Sequence, residues 1–453
     1  MNRLVEIFKN IWSIKELRDR IAFTLLLLFI FRLGTFVLLP GVDAKVLAAL
    51  AKSSANKTDL LSLVNTFTGG AFAKGAIFAL GVMPYITASI IVQLLGFAVP
   101  YFQRLQQHEG ESGRKKLNQL TRILTIGVTL VQGSSYLTYL TTQGAIAKNL
   151  SPFTFWVTGL LVLTAGTIFA MWIGERITER GLGNGTSFII MSGIIDNLPK
   201  TIIAEWNLQG GFAFLIEMAI WFAIILGIIV VIQAVRKIPL QFAKRMVGRT
   251  ATSLPTQTNR DYLPIKLNAA GVMPIIFAQA MMFIPATISQ FNAGTGSPNS
   301  FLSKLNDFTS LPHNLLYFVL VVVFTYVYTA LIVNPQQYSE YLKRQNAFIP
   351  GVKPGQSTAD YIDSVTTRVT LPGAIILGFI SILPGVAAYF GVNPGFARFF
   401  GGTSILIMIG VILDTLQQIE SYLLLSKYDG LVKSGKLQGR AGGLVSVGEG
   451  GLT

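Results

Sequence analysis

Residues 79–88 read ALGVMPYITA and residues 269–278 read AAGVMPIIFA, with seven of the ten positions identical. Each copy opens an apolar run close to the roughly 20 residues that cross about 30 Å of hydrocarbon. Ten such runs occur, at about 21–39, 76–99, 123–140, 153–173, 186–203, 212–234, 269–289, 315–333, 370–390 and 399–419. The two copies open the second and the seventh, five crossings apart, so those runs cross in opposite directions. A second echo keeps the same spacing: GTSFII at 185–190 opens the fifth run and GTSILI at 402–407 opens the tenth. Two matches at corresponding places predict an all-α protein of two inverted five-helix halves, related by a pseudo-two-fold axis in the membrane plane. The working site of such a protein lies where the halves meet.

Composition agrees with a multi-pass membrane protein. Of 453 residues, 51% are hydrophobic and 13% charged, and the mean hydropathy is +0.57. The absence of cysteine excludes disulfides, thiolate metal sites and a cysteine nucleophile. His108 and His313 stand far apart in polar segments, which argues against a histidine metal site. The chain has no HExxH, no GxSxG and no paired intramembrane carboxylates. Gly430 to Leu437 (GLVKSGKL) imitates a phosphate-binding loop, but Leu437 replaces the metal-binding hydroxyl and the segment follows a helix. Neither enzymatic activity, catalytic residues nor a cofactor or metal is expected, so the energy for any work must come from a partner or a gradient.

The net charge of +15 is placed unevenly. With a cytoplasmic N-terminus, 27 Lys and Arg fall on the inner side and 8 on the outer, leaving Arg32 inside the first run. The positive-inside rule then sets both termini in the cytoplasm. Basic loops of this size also suit anionic partners, lipid headgroups or ribosomal RNA, although topology alone would account for them.

The expected organisation is a cytoplasmic amphipathic helix at 1–20, carried by Leu4, Phe8, Ile11 and Trp12 at helical spacing, with no cleavable signal peptide. A first half at 21–204 and a second half at 205–425 follow, then a tail at 426–453. Long inner loops span 235–267 and 335–369. Asp59 to Phe72 (DLLSLVNTFTGGAF) is half apolar and too short to cross. Its pattern favours a helix on the outer leaflet; a helix folded back into a cavity is the alternative, because non-spanning backbone at membrane depth needs protein or water around it.

Coupled transporters place ionisable groups at the midplane. The candidates here are Arg32, Asp196, Glu217 and Asp414. Asp196 and Glu217 are expected near span ends, Asp414 in the cytoplasmic third of its span, and Arg32 snorkelling or paired with a nearby carbonyl. They form no charge relay. An apolar interior suits a pore sealed by dewetting and leaves a secondary transporter as the alternative class, with an intramembrane enzyme third.

The runs FALGVMPYITASIIVQLL (78–95), EGESGRKK (109–116), ITERGLGNGTS (177–187), LPIKLNAAGVMPIIFA (263–278), PGVKPGQSTADYI (350–362) and FGGTSILI (400–407) closely resemble the SecY/Sec61 alpha family, the channel subunits of protein translocases. The resemblance extends from Arg18 to about Lys427. It implies a clamshell around an hourglass pore in the bacterial plasma membrane, passing unfolded secretory proteins across and releasing signal sequences and membrane helices sideways. Implied partners are SecE and SecG, the SecA ATPase motor, the translating ribosome with its targeting receptor, secretory preproteins and nascent membrane proteins, and anionic lipids, with no small-molecule substrate.

Motif matching implies a pore ring of Val82, Ile86, Ile190, Ile276 and Ile407, whose branched side chains would exclude hydrated ions and still deform around a polypeptide. The resemblance recasts 60–75 as a plug, with Leu63, Val64, Phe67, Gly69 and Gly70 as its residues. Spans 2 and 7 become the lateral gate. Gln93 and Gln279 are its candidate polar residues, though ordinary interhelical hydrogen bonds explain them equally well. Lys244, Arg245, Arg249 and Lys353 are the implied partner contacts in the inner loops. Lys353 departs from the arginine of many family members, which keeps the charge and loses the two-pronged fork.

Overall fold

The computed structural model describes residues 12, 14–43, 46–47, 65–107, 110–146, 151–242, 261–282, 304–305 and 307–433, without the side chains of 97, 106–107 and 426–433. Among the described residues, seven helices are long and apolar enough to cross a membrane. They coincide with the third to sixth and eighth to tenth apolar runs. The second and seventh runs form the shorter apolar helices Met83–Gly96 and Met273–Met282, and the first forms Lys15–Gly34.

Both GVMP copies fold alike at their start. Gly81 and Gly271 take positive φ, 53° and 65°, a region glycine enters without steric cost. The helix begins two residues later at the methionine, and in the first copy Pro84 occupies a first-turn position, where a missing N–H costs nothing. The GTS copies also start helices, Gly185–Gln209 and Gly402–Lys433. In the first of these, Asn184 Oδ1 accepts the N–H groups of Thr186 and Ser187 at 3.1 and 3.4 Å.

Three expectations are adjusted by the structure. The first-run helix already begins at Lys15, so residues 15–20 are one helix with that run, with Leu17 fully buried; Leu4, Phe8 and Ile11 lie outside the described residues. The fifth helix continues past the expected boundary at 204/205 to Gln209, and the chain turns at Gly210, φ 68°. The inner loops are partly ordered by short strands. Val235–Pro239 pairs antiparallel with Tyr262–Lys266, and Gln241–Phe242 with Ala347–Phe348. Ile238, Leu240, Ile265, Leu342, Ile349 and Ile362 close a small apolar core beneath them.

Each half has its own apolar core. Leu39, Leu80, Tyr136, Leu137, Phe155 and Leu163 pack in the first, and Trp221, Ile275, Val321, Leu377, Phe396 and Ile405 in the second. Between them lies a third cluster drawn from both, containing Phe67, Val82, Ile190, Ile194, Phe399 and Ile407. The helices approach closely where side chains are absent, as in membrane packing generally. At Gly185 a methyl group would press on the Gly174 carbonyl and Ile177.

Gly185→Ala should therefore overpack this contact and destabilise the protein by ~1–3 kcal/mol. Gly127→Ala, at a helical site with nothing within 4 Å of a new Cβ, should be neutral or stabilising by up to ~1 kcal/mol. Thermal unfolding in detergent of the two variants checks both signs.

Candidate functional site

The central cluster brings together all five ring residues named from the sequence. Val82, Ile190 and Ile407 are buried, and Ile86 and Ile276 pack against them half-buried. They arrive from four helices, each near its start. Val82 directly precedes Met83–Ala98 and Ile86 lies one turn in, with its N–H on the Val82 carbonyl at 3.0 Å. Ile276 repeats this in the second copy, its N–H on the Val272 carbonyl at 3.3 Å. Ile190 and Ile407 occupy the same place in the two GTS helices.

A small cavity remains between Phe67, Ile86, Ile190, Ile276 and Ile407. The space open to the centre of a water molecule is about 10 Å³, scarcely room for one water. Gln279 borders it as well, so the isoleucines leave only a narrow space between them, mostly apolar but edged by a few polar side chains. Met83, Thr87, Ala280 and Thr403 also line it and were not singled out from the sequence. Their signal was present, since Met83 lies inside the first GVMP copy and Thr403 inside the second GTS copy.

Residues 65–75 close the cavity from one side. Leu63 and Val64, with residues 60–62, lie outside the described residues. The rest of the segment is packed inside the protein: Thr66, Phe67, Thr68, Ala71 and Phe72 are buried, Phe67 to 6% exposure. For these residues the fold-back arrangement holds and the outer-leaflet helix does not. The reason lies in tertiary contacts that a local pattern does not contain. The Phe72 ring packs at a tilt against Tyr136, whose hydroxyl donates to the Phe72 carbonyl at 2.7 Å. Gly69 and Gly70 turn the chain at positive φ, 62° and 85°, into the short helix Ala71–Lys74.

Arg32 joins this segment. Its Nη1 donates to the Gly69 carbonyl at 3.0 Å, and its Nη2 lies 2.5 Å from Asp196 Oδ1. Asp196 Oδ2 accepts from Lys200 Nζ at 2.9 Å. The sequence anticipated a carbonyl partner for Arg32 and missed Asp196, because the two are 164 positions apart. Lys74 lies nearby with its ammonium over the Phe36 ring; partial burial, with Arg32 and Lys200 close, lowers its pKa.

The structure does not pair Gln93 with Gln279. Gln93 Oε1 accepts from Tyr328 Oη at 2.9 Å, linking the second helix to the eighth across the seam between the halves. Gln279 Oε1 accepts from Thr403 Oγ1 at 3.2 Å, and Thr403 also bonds Tyr317 Oη at 2.8 Å, all within the second half. Ile90, Ala270, Phe277 and Tyr328 form the apolar part of the seam. In the 335–369 loop Lys353 is exposed, in a turn held by Thr358 Oγ1 on its carbonyl at 2.9 Å. Lys244, Arg245 and Arg249 lie outside the described residues.

A family model described as SecY matches residues 76–416. The chain is 39% identical over 441 residues to protein translocase subunit SecY of Streptomyces coelicolor, covering 94% of this chain and 99% of that one. It is 42% identical over 435 residues to the subunit of the same name from Mycobacterium tuberculosis, covering 92% and 97%. Among solved structures, a protein-conducting channel superposes with a TM-score of 0.64 at 15% identity, over 94% of this chain and 95% of that chain. Sec61 in the canine ribosome–channel complex from the endoplasmic reticulum gives 0.60 at 14%, with the same coverage. At such low identity these likenesses speak for the fold, while the sequence matches run nearly end to end: the chain belongs to the SecY family of protein translocase subunits.

Proposed function

We propose that the chain is the pore subunit through which an unfolded polypeptide crosses the bacterial plasma membrane, held here in its shut state. One observation carries this reading. In a member of a translocase family, four isoleucines from both inverted halves meet around a narrow, mostly apolar space, with Phe67 packed against it. Branched aliphatic side chains pack without fixed polar partners, so they can part around a passing chain and close again.

In this reading residues 60–75 are the plug, and the second and seventh helices are the lips of a gate opening to lipid. The Tyr328–Gln93 bond is then the polar fastening of that gate. Signal sequences and new membrane helices leave between the lips. The driving force comes from SecA or a translating ribosome docked on the basic inner loops, with SecE and SecG as companion subunits. The excess of inner-side Lys and Arg supports cytoplasmic termini. Lys353, exposed on an ordered turn, suits a point-charge contact to an acidic or phosphate partner rather than a forked one.

Replacing Ile86 and Ile276 together with glycine should make the resting channel conduct ions. Single-channel currents in planar bilayers test this, and currents equal to those of the parent would remove both residues from the seal. Tyr328→Phe should remove one hydrogen bond from the seam and favour the open gate about fivefold. The readout is faster translocation of a substrate with a weakened signal sequence; unchanged discrimination would leave the bond a packing detail. Reversing charge at Arg245 and Arg249 should weaken SecA or ribosome binding, with the loss greatest at low salt; undiminished binding there would reduce these residues to topology signals.

A further inference from the structure

We propose that Arg32, Asp196 and Lys200 form a latch that positions residues 66–69 on the first half of the channel, so that the plug belongs mechanically to that half. The proposal rests on the reading of 60–75 as the plug and adds what holds it in place.

The latch is built on one face of the fifth helix, where residues 193, 196, 197 and 200 follow at helical spacing. Gly193 has no side chain because the plug backbone lies against it: a methyl there would collide with the Phe67 carbonyl and the Gly69 nitrogen. Asn197 Nδ2 reaches the Thr66 carbonyl at 3.4 Å and its own helix at Gly193 O at 3.3 Å. Asp196 holds Arg32 by one nitrogen, leaving the other aimed at the Gly69 carbonyl. Lys200 supplies Asp196 with a second cation. A methyl on Gly69 would collide with the Arg32 guanidinium, so the close approach needs glycine on both sides.

Further backbone bonds tie this segment to the same half. Tyr136 holds the Phe72 carbonyl, the Leu39 N–H holds the Gly75 carbonyl at 2.8 Å, and just beyond it Val37 O accepts the Ile77 N–H at 2.9 Å. Toward the second half, Phe67 shares an apolar cluster with Phe399 and Ile407. Parting the halves breaks that apolar contact and leaves the polar attachment intact. Release of the plug is then a separate event that requires Arg32 to let go of Gly69. Asp196 acts through Arg32 as a positioning residue: without its charge the guanidinium has no anion to fix its plane, and the fork turns away from the plug.

The chain has no cysteine, so single cysteines report cleanly. Ala71→Cys marks the plug and Ala170→Cys the packed helix Pro152–Arg180, both at positions fully buried in the resting state. The translocase complex, reconstituted in proteoliposomes, is labelled with a membrane-impermeant maleimide. Adding motor, ATP and a secretory preprotein should expose Ala71→Cys in the parent; if it does not, the plug reading fails and the latch with it. Given that exposure, Asp196→Asn and Arg32→Lys should each speed resting labelling at Ala71→Cys by about tenfold, leave Ala170→Cys unchanged and raise resting ion leak. Resting labelling equal to the parent in both variants would overturn the latch alone. Equal acceleration at Ala71→Cys and Ala170→Cys would also overturn it, because the ion pair would then support the whole fold rather than the plug.

Discussion

Peptide groups kept from water need partners, and between the helices Lys15–Gly34 and Met83–Ala98 residues 65–82 form only short helical turns and loop. The stretch from Asn65 to Val82 is packed inside the protein, and its carbonyls are satisfied one by one, by Asn197, Arg32, Tyr136 and the Leu39 N–H. This constraint organises the first half. It draws an arginine and an aspartate into the interior, places glycines at 69 and 193, and seats Phe67 over the narrowest point. Without those partners the segment would have to leave the interior, and the constriction would lose its cover.

The constriction itself uses the opposite chemistry. Ile86, Ile190, Ile276 and Ile407 offer only dispersion contacts and the exclusion of water from a space about one molecule wide. Such a seal is strong against hydrated ions and weak against separation, since no directed bond must break when the ring widens. The polar bonds lie around it: the plug attachment on one side, the Tyr328–Gln93 fastening at the seam and the Tyr317–Thr403–Gln279 chain behind. The apolar contacts of the isoleucines and the polar bonds around them thus come from different residues.

The inverted repeat explains how four helices contribute equivalent residues to one ring. A positive-φ glycine before the methionine puts an isoleucine one turn into each GVMP helix, and the GTS starts do the same for the other pair. Departures from symmetry are equally informative. Arg32, Asp196 and residues 65–75 belong to the first half, and Phe67 from that segment packs into the central cluster.

The apolar runs, the two halves and the clustering of Val82, Ile86, Ile190, Ile276 and Ile407 were legible in the sequence because they depend on local composition, helix-start chemistry and repeat spacing. Each is decided within a window of one helix or by comparing two such windows. The burial of residues 65–75, the attachment of Arg32 to Asp196 and Gly69, and the separate partners of Gln93 and Gln279 were not legible there. Those depend on which distant side chain lies opposite when the helices pack, and an exposed or a buried half-apolar segment reads the same in one dimension. That two inverted halves meet around isoleucines could be read one helix at a time; what covers their meeting point came from packing alone, because a carbonyl's partner is chosen by position in space.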